Sequence, residues 1–209
     1  LITPIDSVID AVKAAIGSAF LSAQDLVQEV SITVARDSVA DVLRTLAAEP
    51  DVALAHFWSL SGNGFFGAIH QDARLRPAGQ VLSLFNEALQ GQMLPATLTA
   101  PTVSSPSVGA CPAVAALPVA EVMATRNGNQ LCLLVIHKDP SNPASLSLAL
   151  DKVSIVSGQV SVLSSTNVFD TSDQAGVMTR QDSAWSATES IRLPAHSVAL
   201  ITLTIRSNA

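Results

Sequence analysis

The chain has 209 residues, of which 48% are hydrophobic and only 13% charged, with a formal net charge of -6. That apolar content suffices for a sizeable core in one domain or two small ones and excludes a wholly disordered chain. The acidic balance, with no Lys/Arg cluster able to neutralise neighbouring phosphates, excludes a nucleic-acid surface and favours a neutral or weakly polar ligand. The longest apolar segments are broken well before the roughly 20 residues that a membrane-crossing helix needs, so no transmembrane helix is expected.

In chain order, the opening LITPIDSVIDAVKAAIG has neither an initiator methionine nor the basic leader and cleavage pattern of a signal peptide. A processed or downstream segment is therefore expected. Val8, Ile9, Val12, Ala15, Ile16 and Phe20 recur at spacings of three and four, a helical face that Asp6 or Ser7 can cap. A second helix is expected over Asp25 to Ala48, where Val30, Val34, Ala35, Val39, Val42, Leu43 and Leu46 form a stripe and Asp37, Asp41, Arg44 and Glu49 take other faces. Its Val-Ser-Ile-Thr-Val tract is also compatible with a short strand, because β-branched residues lower helix propensity.

Pro50 and Asp51 then punctuate the start of Val52 to Trp58, a near-continuous apolar run of the kind found in a strand covered on both faces. Ser59 to Gly64 ends it in a loop where Gly62, Gly64 and Gly67 permit unusual backbone. Pro77 is well placed to open another helix, with Val81, Leu82, Phe85, Ala88 and Leu89 on one face and Gly91 as its stop. The result is an αβα piece with one clear strand.

The regime changes over residues 95–117, where prolines are dense and helical period is lost. Glu121 to Thr125 and Leu131 to His137 flank Arg126-Asn127-Gly128-Asn129, a strong hairpin signal. Ser145 to Leu150, Val153 to Leu163 and Ser197 to Ile205 add further strands, and their spacing suggests an antiparallel sandwich. Cys111 and Cys132 can close a loop of about 20 residues, a bridge worth on the order of 3 kcal/mol, or can remain two buried thiols.

These segments carry a resemblance. SVADVLRTLAAEPDVALAHFWSL, GFFGAI and RPAGQVLSLFNEALQGQML resemble the last quarter of a (β/α)8 barrel in retaining glycoside hydrolases. The similarity is greatest to α-L-arabinofuranosidases with an appended β-sandwich, whose sandwich segments LCLLVIHKDPSNPASLSLAL and LPAHSVALITLTI resemble, with Ala195 where a second proline is common. The fold class implied is mixed: residues 1–91 supply the C-terminal αβα segment of a barrel, with Val52 to Trp58 as its eighth strand, and residues 92–209 supply an antiparallel β-sandwich.

Retaining enzymes of this kind use two carboxylates about 5 Å apart, one as acid/base and one as nucleophile. The resemblance places both on earlier strands, so no catalytic residue is expected in this chain. Glu29, Glu49, Glu87, Glu121 and Glu189 read as solvated surface residues. The substrate-binding candidates are Trp58, whose indole is suited to stacking on a sugar face at the end of the strand, Ser61 and Asn63 for hydroxyl contacts, and Phe65 or Phe66 for a further subsite. No metal-ligand spacing, nucleophile elbow or nucleotide fingerprint occurs, so no cofactor is expected.

The implied partners are a carbohydrate substrate and a companion chain carrying the earlier barrel strands. An extracellular or periplasmic location is expected. The competing reading is a non-catalytic module that binds carbohydrate or protein.

Overall fold

The computed structural model describes residues 30–48, 68–70, 72–107, 113–165 and 178–207. The expected first helix, the Val52 to Trp58 strand, the aromatic loop and Cys111 lie outside these residues. Among the described residues the chain is mostly β: helices α1 (Val30–Ala48) and α2 (Pro77–Ala88) precede strands β1 (Gln92–Leu94), β2 (Thr102–Ser105), β3 (Val114–Pro118), β4 (Ala120–Asn127), β5 (Gln130–His137), β6 (Ala144–Leu146), β7 (Val153–Ser165), β8 (Met178–Trp185), β9 (Ile191–Leu193) and β10 (Ser197–Ser207).

The Val-Ser-Ile-Thr-Val tract is helical as the first turns of α1. Local β propensity yields there to a helix whose later turns have a core to pack on. The buried face of α1 centres on Ala40, with Val39, Leu43 and Ala47 packed beside it. Asp41, expected to face away, is only 3% exposed. In α2, Pro77 occupies the first turn as expected, and Val81, Leu84, Phe85 and Ala88 are buried. Leu89, expected on that face, is exposed instead. Gly91 does not stop the helix through left-handed backbone: a Cβ there would collide with the carbonyl of Arg126, so its role is close approach to β4.

Six strands form one antiparallel sheet in the order β1-β4-β5-β10-β7-β8, while β2 pairs with β3 and β6 with β9. Side chains alternate between the two faces. On β5, Cys132, Leu134 and Ile136 join α1 and α2 in one core, while Leu131, Leu133 and Val135 face the other, where Ile191 of β9 and Ala144 and Leu146 of β6 pack. This two-sided cover explains why QLCLLVIH is an unbroken apolar run in an antiparallel setting.

The hairpin between β4 and β5 is tighter than expected. Asn127 pairs with Gln130, leaving Gly128-Asn129 as the loop, and Gly128 has φ +57°. Glycine with positive φ at the first loop position matches a type II′ turn, whose twist suits the strands. At the other end of β5, the His137 Nδ1–H and the Ser197 hydroxyl both donate to the carbonyl of Pro194, at 2.9 and 2.7 Å. Asp139 accepts the Ser141 and Asn142 N–H groups, each at 2.9 Å, and the His196 N–H donates to the Asp139 carbonyl at 2.8 Å. The HKDPSN and LPAHS segments therefore clasp the β5 and β10 ends together.

Other boundaries differ from expectation. Ser145 to Leu150 is strand only as far as Leu146, though Leu148 and Leu150 still pack on the second core. The short pair β2 and β3 lies within the proline-dense stretch, and β8 and β9 were not signalled by alternation. Cys132 is a buried thiol without a disulfide. Burial pushes its pKa up, with Glu87 adding to the rise and a hydrogen bond with Thr202 opposing it.

Candidate functional site

The expected substrate-binding residues Trp58, Ser61, Asn63 and Phe65 lie outside the described residues. The described chain shows the frame on either side. In sequence, α1 precedes the Val52 to Trp58 tract, and Ala68 leads through a short turn into α2. The two helices pack on each other and on the six-stranded sheet.

Three kinds of contact fasten this frame. The first is apolar: Val81, Leu84, Phe85 and Ala88 of α2 share a core with Leu134, Ile136, Val198 and Leu200. Burying the Val, Leu, Ile and Phe side chains among these is worth about 1.5–3 kcal/mol each. The second satisfies the helix end: the Thr125 hydroxyl donates to the Ala88 carbonyl, and Asn127 Nδ2 donates to the Gln90 carbonyl at 3.1 Å. Carbonyls in the last turn of a helix have no partner within the helix, which is why side chains from β4 meet them.

The third is ionic. Asp41 binds Arg44 at 2.8 Å within α1 and Lys138 at 3.0 Å across to the segment after β5. Glu121 of β4 stands 3.5 Å from Lys138 and 3.6 Å from Arg44, closing a cluster of two acids and two bases. Farther along the sheet, Glu87 of α2 and Arg180 of β8 form a two-pronged pair at 2.6 and 2.9 Å. Arg180 also donates to Asp182 at 3.1 Å and to the Ser161 hydroxyl at 3.2 Å. Hydrogen bonding to Glu87 pushes the Arg180 pKa up, while the Ser161 hydroxyl and then Arg180 hold Asp182 below the usual carboxylate range.

Glu87 and Glu121 are thus engaged by cations rather than simply solvated, and what they do here is join helices to sheet. Glu29 and Glu49 lie outside the described residues. Among the described residues, no group of three or more His, Cys, Asp or Glu side chains could hold a metal ion. No described helix is long and apolar enough to cross a membrane.

One residue escaped the reading of the sequence. Arg76 is the N-cap of α2, with no side-chain cap hydrogen bond, and its Nε and Nη1 atoms are buried with no hydrogen-bond partner among the described residues. The available signal was a basic residue directly before a proline-initiated helix, where a cation opposes the helix dipole.

No protein-family model matches the sequence, and no curated protein matches it. Solved structures do. The α-L-arabinofuranosidase of Thermotoga maritima, in complex with arabinose, is similar with a TM-score of 0.68 at 17% identity, over 79% of this chain and 37% of that one. The thermostable GH51 α-L-arabinofuranosidase of Thermotoga petrophila is similar with a TM-score of 0.66 at 16% identity, again over 79% and 37%. A glycoside hydrolase family 30 subfamily 8 xylanase from Clostridium acetobutylicum follows with a TM-score of 0.54 at 14% identity, over 83% and 40%. The chain therefore spans well under half the length of these structures, and at such identities the likeness is one of fold. In fold, the chain is similar to the part of the α-L-arabinofuranosidases that its sequence resembles, their C-terminal part.

Proposed function

We propose that this chain is the C-terminal fragment or smaller subunit of a retaining glycosidase acting on α-L-arabinofuranosyl or related plant-polysaccharide linkages. The observation that carries the reading is the fold likeness to α-L-arabinofuranosidases over 79% of this chain but only 37% of theirs. A segment of that extent supplies a piece of an enzyme, and fold alone does not supply its chemistry. In this reading residues 1–91 complete a (β/α)8 barrel, residues 92–209 form the appended sandwich, and the enzyme works in an extracellular or periplasmic setting. The two carboxylates come from a companion chain bearing the earlier strands, and hydrolysis proceeds by double displacement.

Trp58 is the contribution proposed for this chain, an indole stacked on the sugar at the mouth of the barrel, with Ser61, Asn63 and Phe65 around it. The fastened helices support such a role, because a positioning residue needs a rigid frame behind it.

Intact-mass and N-terminal analysis of the native material, followed by assay on an aryl α-L-arabinofuranoside, tests the reading. Activity is expected only when the barrel-bearing chain is present, and Trp58→Ala is expected to lower kcat/KM by about 10- to 100-fold with assembly intact. A monomeric chain that folds cooperatively by itself and is inert toward sugars would favour the binding-module reading. Activity of the chain alone would overturn the assignment of the carboxylates to a companion.

A further inference from the structure

We infer that Arg76 is a carboxylate-binding residue, presenting its guanidinium to a singly charged, two-oxygen anion that comes from outside the described residues. Two of its donor atoms, Nε and Nη1, are buried and have no hydrogen-bond partner among the described residues. Leaving buried donors of a charged group unsatisfied is costly, and a native fold keeps such a group chiefly where something else satisfies it. The residue as a whole is only partly buried, so the group lies just beneath the surface.

The backbone around it is tightly determined. The Arg76 N–H donates to the Ala68 carbonyl at 2.9 Å, and its own carbonyl accepts the Gln80 N–H at 2.9 Å. Between those points the chain doubles back: Ile69 bridges Leu75, the His70 N–H donates to the Arg74 carbonyl at 2.8 Å, and the Ala73 N–H donates to the His70 carbonyl at 3.0 Å. This small hairpin presents Arg76 at the first turn of α2.

Three acids of this hairpin and the two helices are committed to other groups. Asp72 holds Arg74 at 2.6 Å and faces His70 at 2.9 Å, Glu87 is paired with Arg180, and Asp41 with Arg44 and Lys138. The setting also has the wrong sign for a cation, since the N-terminus of a helix carries partial positive charge. A carboxylate settles both problems at once. Its two oxygens match the guanidinium fork, and its charge suits the helix end. A single charge fits better than a phosphate dianion, because Arg74, the neighbouring cation, is already paired with Asp72.

Two sources can bring that chemistry: the acid group of a uronic sugar, which rests on the glycosidase reading, or an acidic side chain of a partner polypeptide, which does not. The test is 15N-edited NMR of the full chain, with the Arg76 Nε–H signal assigned by its loss in Arg76→Lys. Sodium acetate, sodium glucuronate and uncharged arabinose serve as probes at constant ionic strength.

Acetate is expected to shift that signal saturably, and binding followed on neighbouring amides is expected to weaken by about tenfold in Arg76→Lys and to vanish in Arg76→Gln. A matching response to glucuronate would assign the sugar source, and a response to acetate alone the side-chain source. Both support the inference. No saturable shift with either anion, undiminished binding in Arg76→Gln, or an equal shift with arabinose would overturn it. Thermal unfolding supplies an independent readout. Arg76→Met is expected to keep or raise Tm in the absence of anion, whereas a drop of several degrees would reveal a partner within the chain and overturn the inference. The arabinofuranoside assay plays no part here, so the two readings fail separately.

Discussion

The two faces of the six-stranded sheet come from the same strands but are closed by different chemistry. Toward β6 and β9 the closure is apolar, with Ile191, Leu193, Ala144 and Leu146 meeting Leu133, Val135, Ile201 and Leu203. Toward α1 and α2 an apolar centre is rimmed by Thr125, by the Asp41 cluster and by the Glu87–Arg180 pair. Apolar burial has no direction and does not titrate, whereas hydrogen bonds and ion pairs have direction and fix how a helix lies. The helix-covered face is therefore the one whose geometry is specified by particular partners.

The sharpest way to break this comparison is to empty each core in turn. Leu134→Ala on the helix side and Ile201→Ala on the strand side are each expected to cost about 2–5 kcal/mol, read from urea unfolding. Hydrogen exchange should separate them, with α1 and α2 losing protection selectively in Leu134→Ala. Equal loss of helix protection in both variants would show that the faces are one cooperative unit.

Next in size is the Asp41 cluster. Asp41→Ala leaves Lys138 and Arg44 beside a buried site and is expected to destabilise by about 3 kcal/mol, while Asp41→Leu combined with Lys138→Met should recover much of that loss. No recovery in the double variant would mean that the cluster does more than compensate its own charges. A smaller effect is expected at Glu87–Arg180, where both side chains are more than a third exposed, at 40% and 35%. Glu87→Ala should cost only about 0.5–1 kcal/mol, shrinking as salt is raised.

The smallest effect is acid sensitivity. Asp139 is held below its ordinary value by the Ser141 and Asn142 N–H groups, and Asp182 by the Ser161 hydroxyl and Arg180. A carboxylate with a lowered folded-state pKa contributes stability above its unfolded value, near 3.8, and loses it as pH falls through the folded value. Urea midpoints should therefore fall between about pH 5 and pH 2, and Asp139→Asn should flatten that decline. An unchanged decline in Asp139→Asn would remove this carboxylate from the acid response.

The strands that sequence makes plain are those carrying a strong local pattern. QLCLLVIH, VSIVSGQVSVLSS and SVALITLTIRS became β5, β7 and β10; the apolar runs of β5 and of the first half of β10 reflect cover on both sides, whereas β7 is fully buried only from Val160 to Leu163. β8 was missed because it is an edge strand: MTRQDSAW exposes six consecutive residues, and only Met178 is fully buried. Helix rotation was equally hard to read. Leu82 and Leu89 are as apolar as Leu84, but only Leu84 ends fully buried against the sheet.

By itself the sequence determined what depends on neighbours along the chain: helical period in α1 and α2, the hairpin at Gly128, the apolar central strands, and a resemblance that the fold likeness bears out. Tertiary structure alone decided the fate of the charges. Asp41 looks like any outward-facing acid until Lys138, 97 residues away, arrives beside it. Arg76 looks like a solvated base until folding buries two of its donors with no partner among the described residues. The physical reason is the same in both cases: whether a charge is tolerated is set by its surroundings in space, which local periodicity does not encode.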